Sequence, residues 1–510
     1  MKKMYIGKLL CISLFLWSLL LILLIISGNY EIDESTHSLV GMFFKDLLLD
    51  WIKKPTFSFK KIYDYSVSYL IYYPKVSLHY PPLPQLFFSL SYLLFSESII
   101  TSRITTAFFS ILFLILIYYI TYKFYEKKEI ALISCLIFMT SPIIILSSIR
   151  AMQEIFFLLF FTASIFSYLM LIKKPELKWY IIFIALTIAS VLSKWNAITI
   201  FPIIFFHSLL FHKNRIKIVL LCILVISLLL SPYYLILYKA GILFLSAESN
   251  LFGLESPQWY QITGWFYYLK SLVFDIFFPL IGITLLILSF YYMKQRGKEW
   301  DLFLVWIIVI YLIMTIVPNK VDRRIINMLP ALVIPSSFLI YKTIIKRKIY
   351  IILFVILLIV QLIYSLNLMP NGIANVEKIN DVIGKDGNVG IIMEQGGEGS
   401  FVFEIAKKNK FEHQVIRPCT FLDLNETPNQ IIQNFSIKYI IVVWKTLDTE
   451  KLNNIAKIVE KSFPKIAEFE NYSVYLNNQT VIRKNEVICN YICSTKNFIC
   501  VENKKPIEFL

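Results

Sequence analysis

A short acidic segment follows the first apolar run of the chain. Residues 30 to 39 read YEIDESTHSL, which places Asp33, Glu34 and His37 close to the point where the chain would leave a bilayer. A carboxylate in this position can accept a proton from a hydroxyl group or bind a divalent cation. Asp33 is therefore a candidate general base or metal ligand, and an acid that merely begins a helix is the alternative.

Further charged residues lie next to later apolar runs. Because charge at membrane depth costs much free energy, those that no basic loop explains are functional candidates. These candidates are His79, Arg150, Glu154, Lys194, Lys320, Asp322, Arg323 and Arg324. A phosphate would pair with the cations, since arginine offers a planar fork of donors and lysine a point charge. The alternative is that they mark helix ends where long cationic side chains reach the lipid headgroups.

The composition is that of an integral membrane protein. Of the 510 residues, 57% are aliphatic, aromatic or cysteine, and the mean hydropathy is +0.67. Soluble domains are only about half apolar. The net charge is +16, but the lysines and arginines lie mostly in short clusters between apolar runs. Such clusters set membrane orientation, so we predict no nucleic-acid partner.

Eleven apolar runs predict membrane-spanning helices, since a crossing needs about 20 apolar residues. They lie at 9–27, 99–122, 130–147, 152–171, 179–193, 197–211, 218–238, 271–293, 301–317, 325–341 and 350–368. The first run has no small-residue cleavage site, so we expect an uncleaved helix and not a signal peptide. Another run, 83–95, is about half a span long and predicts a re-entrant or interfacial segment.

Basic connections alternate with connections that are poor in clustered charge. The basic set is Lys123–Lys128, Lys173–Lys178, Lys213–Lys217, Lys294–Lys298 and Lys342–Lys348. The positive-inside rule places this set and the N-terminus in the cytoplasm, and the remaining connections outside. A complete crossing by 83–95 would instead put the tail in the cytoplasm. An acid and phosphate-binding cations on one outer face predict a transferase that uses a phosphate-linked lipid donor.

The chain changes character at about residue 370, where the composition becomes that of a soluble domain. Predicted strands at 389–393, 413–416, 439–443 and 473–476 accompany predicted helices at 374–384, 400–409, 428–435 and 449–461. The predicted domains are therefore a membrane domain at 1–368, which includes an outer loop at 28–80, and an outer α/β domain at 369–510.

Cysteines cluster near the end of the chain. Four of the seven lie in the tail, namely Cys419, Cys489, Cys493 and Cys500. In an oxidising exterior the last three predict at least one disulfide, with the pairing left open. A zinc site is the alternative, but Cys-x3-Cys-x6-Cys without a nearby histidine fits it poorly.

The ordered set of charged segments resembles the GT-C glycosyltransferases. The segments are IDE, HYPPLPQLFFSLSYLLFSES, SPIIILSSIRAMQEIFFLLFF, SVLSKWNAITIFP and KVDRRIINMLPAL, and the resemblance covers about residues 8 to 345. It is closest to the group that contains the dolichyl-phosphate-mannose protein mannosyltransferases and the lipid A aminoarabinose transferases. It implies an α-helical polytopic membrane protein with about 11 transmembrane helices and a C-terminal extracytoplasmic α/β domain.

The resemblance also implies an activity and a site. The implied enzyme is an inverting hexosyl- or pentosyltransferase that takes a sugar from a dolichyl or undecaprenyl phosphate. Its acceptor would be a protein, lipid or glycan at the outer face of the cell membrane. Asp33 and Glu34 match the acidic pair beside the transferred sugar. The positions matched to the donor phosphate and substrate are His79, Arg150, Glu154, Lys194, Lys320, Arg323 and Arg324.

Two questions stay open at the level of the sequence. Phosphate is already a good leaving group, so a general acid is not required. The need for a cofactor stays open: a divalent cation is one candidate, and Asp33 and Glu154 are the residues that could hold it. A transporter or lipid flippase for an anionic substrate is the alternative function, because charges inside a membrane and a helix broken at YPPLP suit it as well. The large outer domain and the lack of an inverted repeat favour the enzyme.

Overall fold

The computed structural model describes the chain except for a few short segments. The undescribed residues are 1, 30–31, 77–79, 240–256, 296–300, 345–346, 370–371, 385, 395–396, 448, 480–486, 493–496 and 503. The chain divides into two compact units. The first unit is made of Met1–Ile26, His79–Pro84 and Arg103–Met369, and the second of Ser27–Leu78, Gln85–Ser102 and Pro370–Leu510.

The first unit consists of helices rich in leucine, isoleucine and phenylalanine. Helices satisfy their own backbone hydrogen bonds, which is what a chain in lipid requires. The α-helices that lie in or enter this unit are Lys2–Ser27, Ile99–Tyr125, Lys128–Thr140, Pro142–Ile149, Glu154–Lys173, Leu177–Val191, Ile200–Phe211, Ile216–Lys239, Ile262–Ser271, Pro279–Gln295, Asp301–Ile316, Leu329–Ile344 and Lys348–Asn367. Short 3-10 helices at Trp195–Thr199, Lys213–Arg215 and Asp322–Met328 and a π-helical turn at Leu272–Ile276 connect some of them.

All eleven predicted spans are helical, but they differ in length. Within the described residues, six are long and apolar enough to cross a bilayer: Ile6–Ser27, Ile99–Tyr125, Glu154–Lys173, Lys213–Tyr238, Asp322–Ile344 and Lys348–Asn367. Four are shorter, at Leu177–Val191, Trp195–Phe211, Pro279–Tyr291 and Asp301–Ile316. The half-length run forms the short helix Leu83–Leu94. The prediction of a multi-pass membrane protein is confirmed.

The remaining predicted span, at 130–147, is not one continuous helix. Lys128–Thr140 and Pro142–Ile149 meet at an angle of 67°. Proline lacks a backbone N–H and disfavours a helical conformation in the preceding residue. Ser141 is accordingly extended, at φ −68° and ψ 129°, and its hydroxyl donates to the carbonyl oxygen of Ile276 at 2.8 Å. The break therefore has a hydrogen bond that replaces part of what the helix loses.

The second unit combines helices from residues 27–102 with the α/β tail. The helices of its first part are Ile32–Lys53, Phe59–Tyr72 and Leu83–Leu94. The tail adds Ile379–Val382, Gly399–Lys408, Pro418–Asp423, Pro428–Asn434 and Glu450–Ser462, with 3-10 turns at Val376–Lys378, Trp444–Thr446 and Pro506–Phe509. The tail therefore has the helical and strand content that was predicted for an α/β domain.

One five-stranded sheet lies at the centre of the tail. Its strands are β1 (Asn388–Ile392), β2 (Val415–Ile416), β3 (Ile437–Val442), β4 (Lys465–Glu468) and β5 (Ser473–Leu476), in the order β2-β1-β3-β5-β4. Strand β1 is parallel to β2 and β3, whereas β5 is antiparallel to β3 and β4. A separate antiparallel hairpin is formed by β6 (Val487–Ile492) and β7 (Asn497–Glu502).

The hairpin contains the predicted disulfide. Cys489 and Cys500 occupy directly opposite positions of β6 and β7 and are joined by a disulfide bond. Cys419 is also disulfide-bonded, and Cys493 lies outside the described residues. The prediction of at least one disulfide among the last three cysteines is confirmed.

The predicted outer loop at 28–80 belongs to the same compact unit as the tail. Aromatic side chains explain this grouping. The ring of Phe411 lies 5.2 Å from that of Tyr69 and 5.5 Å from those of Tyr72 and Tyr73, measured between centroids. The Tyr73 hydroxyl also accepts a hydrogen bond from the Phe411 N–H at 2.7 Å. Helix Phe59–Tyr72 thus buries one face against the tail, which composition alone did not predict.

Gly41 provides a test of helix packing in the second unit, and Gly7 of the first unit serves as the comparison. A Cβ atom on Gly41 would lie 2.8 Å from Phe88 Cβ, whereas one on Gly7 would meet nothing within 4 Å. Alanine favours helix by about 1 kcal/mol over glycine, but overpacking costs about 1–3 kcal/mol. We expect Gly41→Ala to lower the thermal unfolding temperature in detergent and Gly7→Ala to leave it unchanged or raise it. Equal behaviour of the two variants would contradict the close crossing of Ile32–Lys53 and Leu83–Leu94.

Candidate active site

Two chain turns of the first unit are held against the double-proline segment. Gln153 is buried, and its side-chain amide donates to the carbonyl oxygen of Pro81 at 3.3 Å. The N–H of Leu83 donates to the carbonyl oxygen of Leu192 at 2.9 Å. These bonds fix the starts of the segments that present Glu154 and Lys194.

Three of the predicted site residues meet at one carboxylate. The Lys194 ammonium donates to Glu154 Oε1 at 2.7 Å, and Arg323 Nε lies 3.7 Å from the same oxygen. The exposed fraction of the side chain rises from 4% for Glu154 to 15% for Lys194 and 37% for Arg323. The guanidinium group of Arg323 is therefore the most accessible member of this cluster. We call Glu154, Lys194 and Arg323 the carboxylate–cation cluster.

The cluster carries more positive than negative charge. Burial lowers the pKa of the Lys194 ammonium, Glu154 opposes this effect, and the charges of Arg323 and Arg324 add to it. The face of the Phe157 ring lies near the ammonium group, 6.0 Å from its nitrogen to the ring centroid. One carboxylate does not neutralise the several cations around it, so an anion such as phosphate would stabilise this site.

Two amide side chains that were not among the predicted site residues hold this cluster in place: Asn196 is half-buried and Asn327 is buried. The Asn196 side chain donates to the carbonyl oxygen of Arg324 at 3.2 Å, and Asn327 donates to Thr199 Oγ1 at 3.3 Å. Trp306 Nε1 in turn donates to the carbonyl oxygen of Asn327 at 2.9 Å. The 3-10 helices Trp195–Thr199 and Asp322–Met328 are therefore joined at two points. The sequence signal for this contact was an asparagine in each of the two mostly apolar segments KWNAIT and RIINML.

Lys320 has partners within the fold. It is only 4% exposed, and its ammonium donates to the carbonyl oxygens of Thr315 at 2.7 Å and Val317 at 3.0 Å. Burial and the charge of Arg324 lower its pKa. A lysine in this position satisfies carbonyl groups at the end of helix Asp301–Ile316. Its predicted contact with a donor phosphate stays a prediction.

Other predicted residues are placed less specifically. Arg150 is half-buried and directly follows helix Pro142–Ile149. Arg324 is half-buried in the turn Asp322–Met328. His79 lies outside the described residues. The described residues contain no group of three or more histidine, cysteine or acidic side chains that could hold a metal ion, and the metal stays a prediction.

The predicted acidic pair opens a helix of the second unit. Asp33 and Glu34 lie in the first turn of Ile32–Lys53, where negative charge is favourable. Asp33 is half-buried, whereas Glu34 is 0% exposed and His37 is buried with its Nδ1 3.0 Å from Gln85 Nε2. Asp33 is therefore the more accessible carboxylate of the pair.

A buried ionic group in the same unit joins two residues of the tail to Lys75. Arg417 Nε and Nη2 lie 2.8 Å and 2.7 Å from Glu398 Oε1, and the Lys75 ammonium lies 3.7 Å from it. Burial would raise the pKa of Glu398, but Lys75 and Arg417 outweigh it and hold that pKa below its ordinary value. Burial lowers the pKa of Lys75, and the negative charges of Glu398 and Asp33 oppose this lowering. Asp33 and Lys75 therefore interact electrostatically.

Comparisons with known sequences match the middle of the chain. Residues 79–236 match the family described as dolichyl-phosphate-mannose-protein mannosyltransferase. An uncharacterized protein of Aquifex aeolicus is 26% identical over 278 residues, which cover 53% of this chain and 54% of that protein. The chain thus spans about half the length of that relative.

Comparisons with solved structures cover most of the chain. ArnT from Cupriavidus metallidurans, solved with undecaprenyl phosphate, has a TM-score of 0.63 at 12% identity, covering 92% of this chain and 98% of that one. The archaeal oligosaccharyltransferase AglB from Archaeoglobus fulgidus, solved with an inhibitory peptide and a dolichol-phosphate, has a TM-score of 0.53 at 13% identity. That match covers 94% of this chain and 75% of AglB. The predicted GT-C fold is confirmed.

The pair of Glu154 and Lys194 can be tested by its effect on stability. Removing one partner of a buried ion pair costs about 3–5 kcal/mol, because the other charge stays buried. We expect Lys194→Met to lower the thermal unfolding temperature in detergent clearly. The double variant Glu154→Gln/Lys194→Met should lose less than the sum of the two single variants. Strict additivity, or a Lys194→Met variant as stable as the wild type, would contradict the buried pair.

The low pKa of Glu398 makes a second prediction. An unfolded glutamate has a pKa of about 4.3, so the Glu398 carboxylate stabilises the fold above that pH. This contribution is lost as the pH falls through the lower pKa of the folded state. We expect Glu398→Gln to unfold at a lower temperature than the wild type at neutral pH. The difference should narrow as the pH falls below about 4.3, the pKa of an unfolded glutamate. A difference independent of pH would contradict the assigned ion pairs.

Proposed function

We propose that this chain, a membrane protein with the GT-C fold, is an inverting glycosyltransferase that uses a sugar linked to a polyprenyl phosphate. The observation that carries the proposal is the carboxylate–cation cluster, where Lys194 and Arg323 share one oxygen of Glu154 and Arg323 stays accessible. Its excess of cations suits a lipid phosphate. The undecaprenyl phosphate and dolichol-phosphate of the ArnT and AglB structures support the same donor class.

The proposed reaction needs little covalent chemistry from the protein. An acceptor hydroxyl attacks the anomeric carbon, the bond from that carbon to the phosphate oxygen breaks, and the configuration inverts. The phosphate leaves with the bonding electrons, and cations near it stabilise its growing charge. The acceptor proton passes to a carboxylate, for which we propose Asp33. Asp33 belongs to the second unit, and its role rests on its chemistry, its accessibility and the family resemblance.

The remaining parts of the proposal concern the partner and the location. We assign the acceptor to the broad class of hydroxyl-bearing proteins, lipids or glycans, and propose His79, Arg150, Lys320 and Arg324 as further donor-binding residues. The N-terminus would be cytoplasmic and the tail would face the exterior of the cell membrane. The disulfide of Cys489 and Cys500 supports an exterior tail, because disulfides persist in oxidising compartments.

Turnover of a radiolabelled polyprenyl-phosphate sugar by the purified full-length protein tests the proposal. We expect Asp33→Asn to lower kcat by about 10²–10⁴-fold, the usual contribution of a general base. Arg323→Gln should raise KM for the donor by about 10-fold or more, as expected for a lost charge-assisted hydrogen bond. The matched control is Asp50→Asn, because Asp50 lies in the same helix and accepts a hydrogen bond from Tyr65 at 3.2 Å.

The outcomes separate the enzyme from its alternative. Turnover by Asp33→Asn equal to that of Asp50→Asn would remove Asp33 from the mechanism. A wild-type protein that moves the labelled lipid across vesicle membranes without consuming it would be a transporter or flippase, and the proposal would be wrong.

A further inference from the structure

Four charged residues from distant parts of the sequence form one group in the second unit. They are Asp33, Lys75, Glu398 and Arg417, and we call them the four-charge group. Glu398 is at its centre: its side chain is 0% exposed, against 17% for Lys75 and 11% for Arg417. Arg417 holds it at 2.7 Å and Lys75 at 3.7 Å. Two carboxylates and two cations make the group electrically balanced.

A close backbone approach places Glu398 beside the acidic segment. A Cβ atom on Gly399 would lie 2.5 Å from Ser35 Oγ and 3.4 Å from Lys75 Cγ. Helix Gly399–Lys408 therefore begins directly against the first turn of Ile32–Lys53. Glu398 immediately precedes this contact on one side, and Asp33 lies two residues before Ser35 on the other, so the two carboxylates belong to adjoining segments.

We propose that Glu398 is a positioning residue for Asp33, and that it acts by holding the Lys75 ammonium away from the Asp33 carboxylate. This inference rests on the proposed function and assigns the tail a part in the reaction. Lys75 interacts with both carboxylates. A stronger pairing of Lys75 with Glu398 therefore weakens its pairing with Asp33. With Glu398 ionised, the Lys75 ammonium is shared between the two carboxylates and holds Asp33 less strongly than it would alone.

Removing the charge of Glu398 changes this division. In Glu398→Gln the cations Lys75 and Arg417 remain, and Asp33 is the remaining carboxylate of the group. Lys75 would then pair with Asp33, which makes that carboxylate a weaker base and occupies the oxygen that accepts the proton. The fall in kcat should be between about 10- and 100-fold, the range for small misplacements of catalytic groups.

The test compares variants of the purified full-length protein with the labelled donor. We expect Glu398→Gln to lower kcat, to leave KM for the donor within about twofold because the donor cations are untouched, and to shift the acid limb of the pH profile to lower pH. Adding Lys75→Gln to Glu398→Gln should restore most of kcat, because the competing ammonium is gone. Glu398→Asp keeps the negative charge and should therefore retain part of the wild-type kcat.

Glu404→Gln is the matched control. Glu404 lies in helix Gly399–Lys408, which begins directly after Glu398. It is 1% exposed and pairs with Lys407 at 2.5 Å, but it is outside the four-charge group. Its variant should keep the kcat and pH profile of the wild type. A general loss of packing would affect both variants alike and would not be relieved by Lys75→Gln.

Each result decides the inference separately from the proposed function. Turnover by Glu398→Gln equal to that of Glu404→Gln, or a double variant no faster than Glu398→Gln, would overturn the role of Glu398 and leave the glycosyltransferase in place. A wild-type protein that consumes no lipid-linked sugar would overturn both. If Glu398→Gln does not fold, Lys75→Gln alone decides: the acid limb should move to higher pH, and an unchanged limb would refute the inference.

Discussion

The ion pair between Glu154 and Lys194 is the constraint on which the candidate site of the first unit depends. Neither charge is stable in apolar surroundings alone, so the two turns that supply them must stay in register. Gln153 on one side and Asn196 on the other tie the same turns to neighbouring backbone. Arg323 reaches the shared carboxylate from a third part of the chain. The carboxylate that Arg323 contacts is therefore positioned by interactions of several other residues.

The helical segments were predictable because a bilayer leaves the backbone few alternatives. Apolar runs of sufficient length had to be helical, and all eleven are. The number of complete crossings was not predictable from hydropathy, since it depends on where helices break. Ser141 and Pro142 interrupt a run whose hydropathy is continuous, and the shorter helix Leu177–Val191 ends at a turn where the Leu192 carbonyl oxygen accepts a hydrogen bond from the distant Leu83 N–H.

The charged members of the site were also predictable, whereas their supports were not. Glu154, Lys194 and Arg323 stand out in apolar sequence, so sequence reasoning found each of them. Asparagine and glutamine are not rare enough in such segments to attract attention, yet Asn327 and Gln153 position the turns. In the tail the buried strands β1 and β3 were found. The exposed edge strand β4 lacks the apolar pattern that identifies a strand. The hairpin β6–β7 was missed although VICNYI and NFICVE are rich in residues that favour strands.

The composition of the second unit from three separate segments has a consequence for biosynthesis. Its first two segments end at Ser102, and its third begins only at Pro370. At about 5–20 residues per second, the ribosome takes on the order of ten seconds or more to make the intervening chain. Throughout that interval Phe411 is not yet made, so the aromatic face of Phe59–Tyr72 lacks its partner. Glu398 is also not yet made, so Lys75 lacks the carboxylate with which it pairs. The newborn protein must therefore insert most of its membrane helices before the surroundings of Asp33 can be completed.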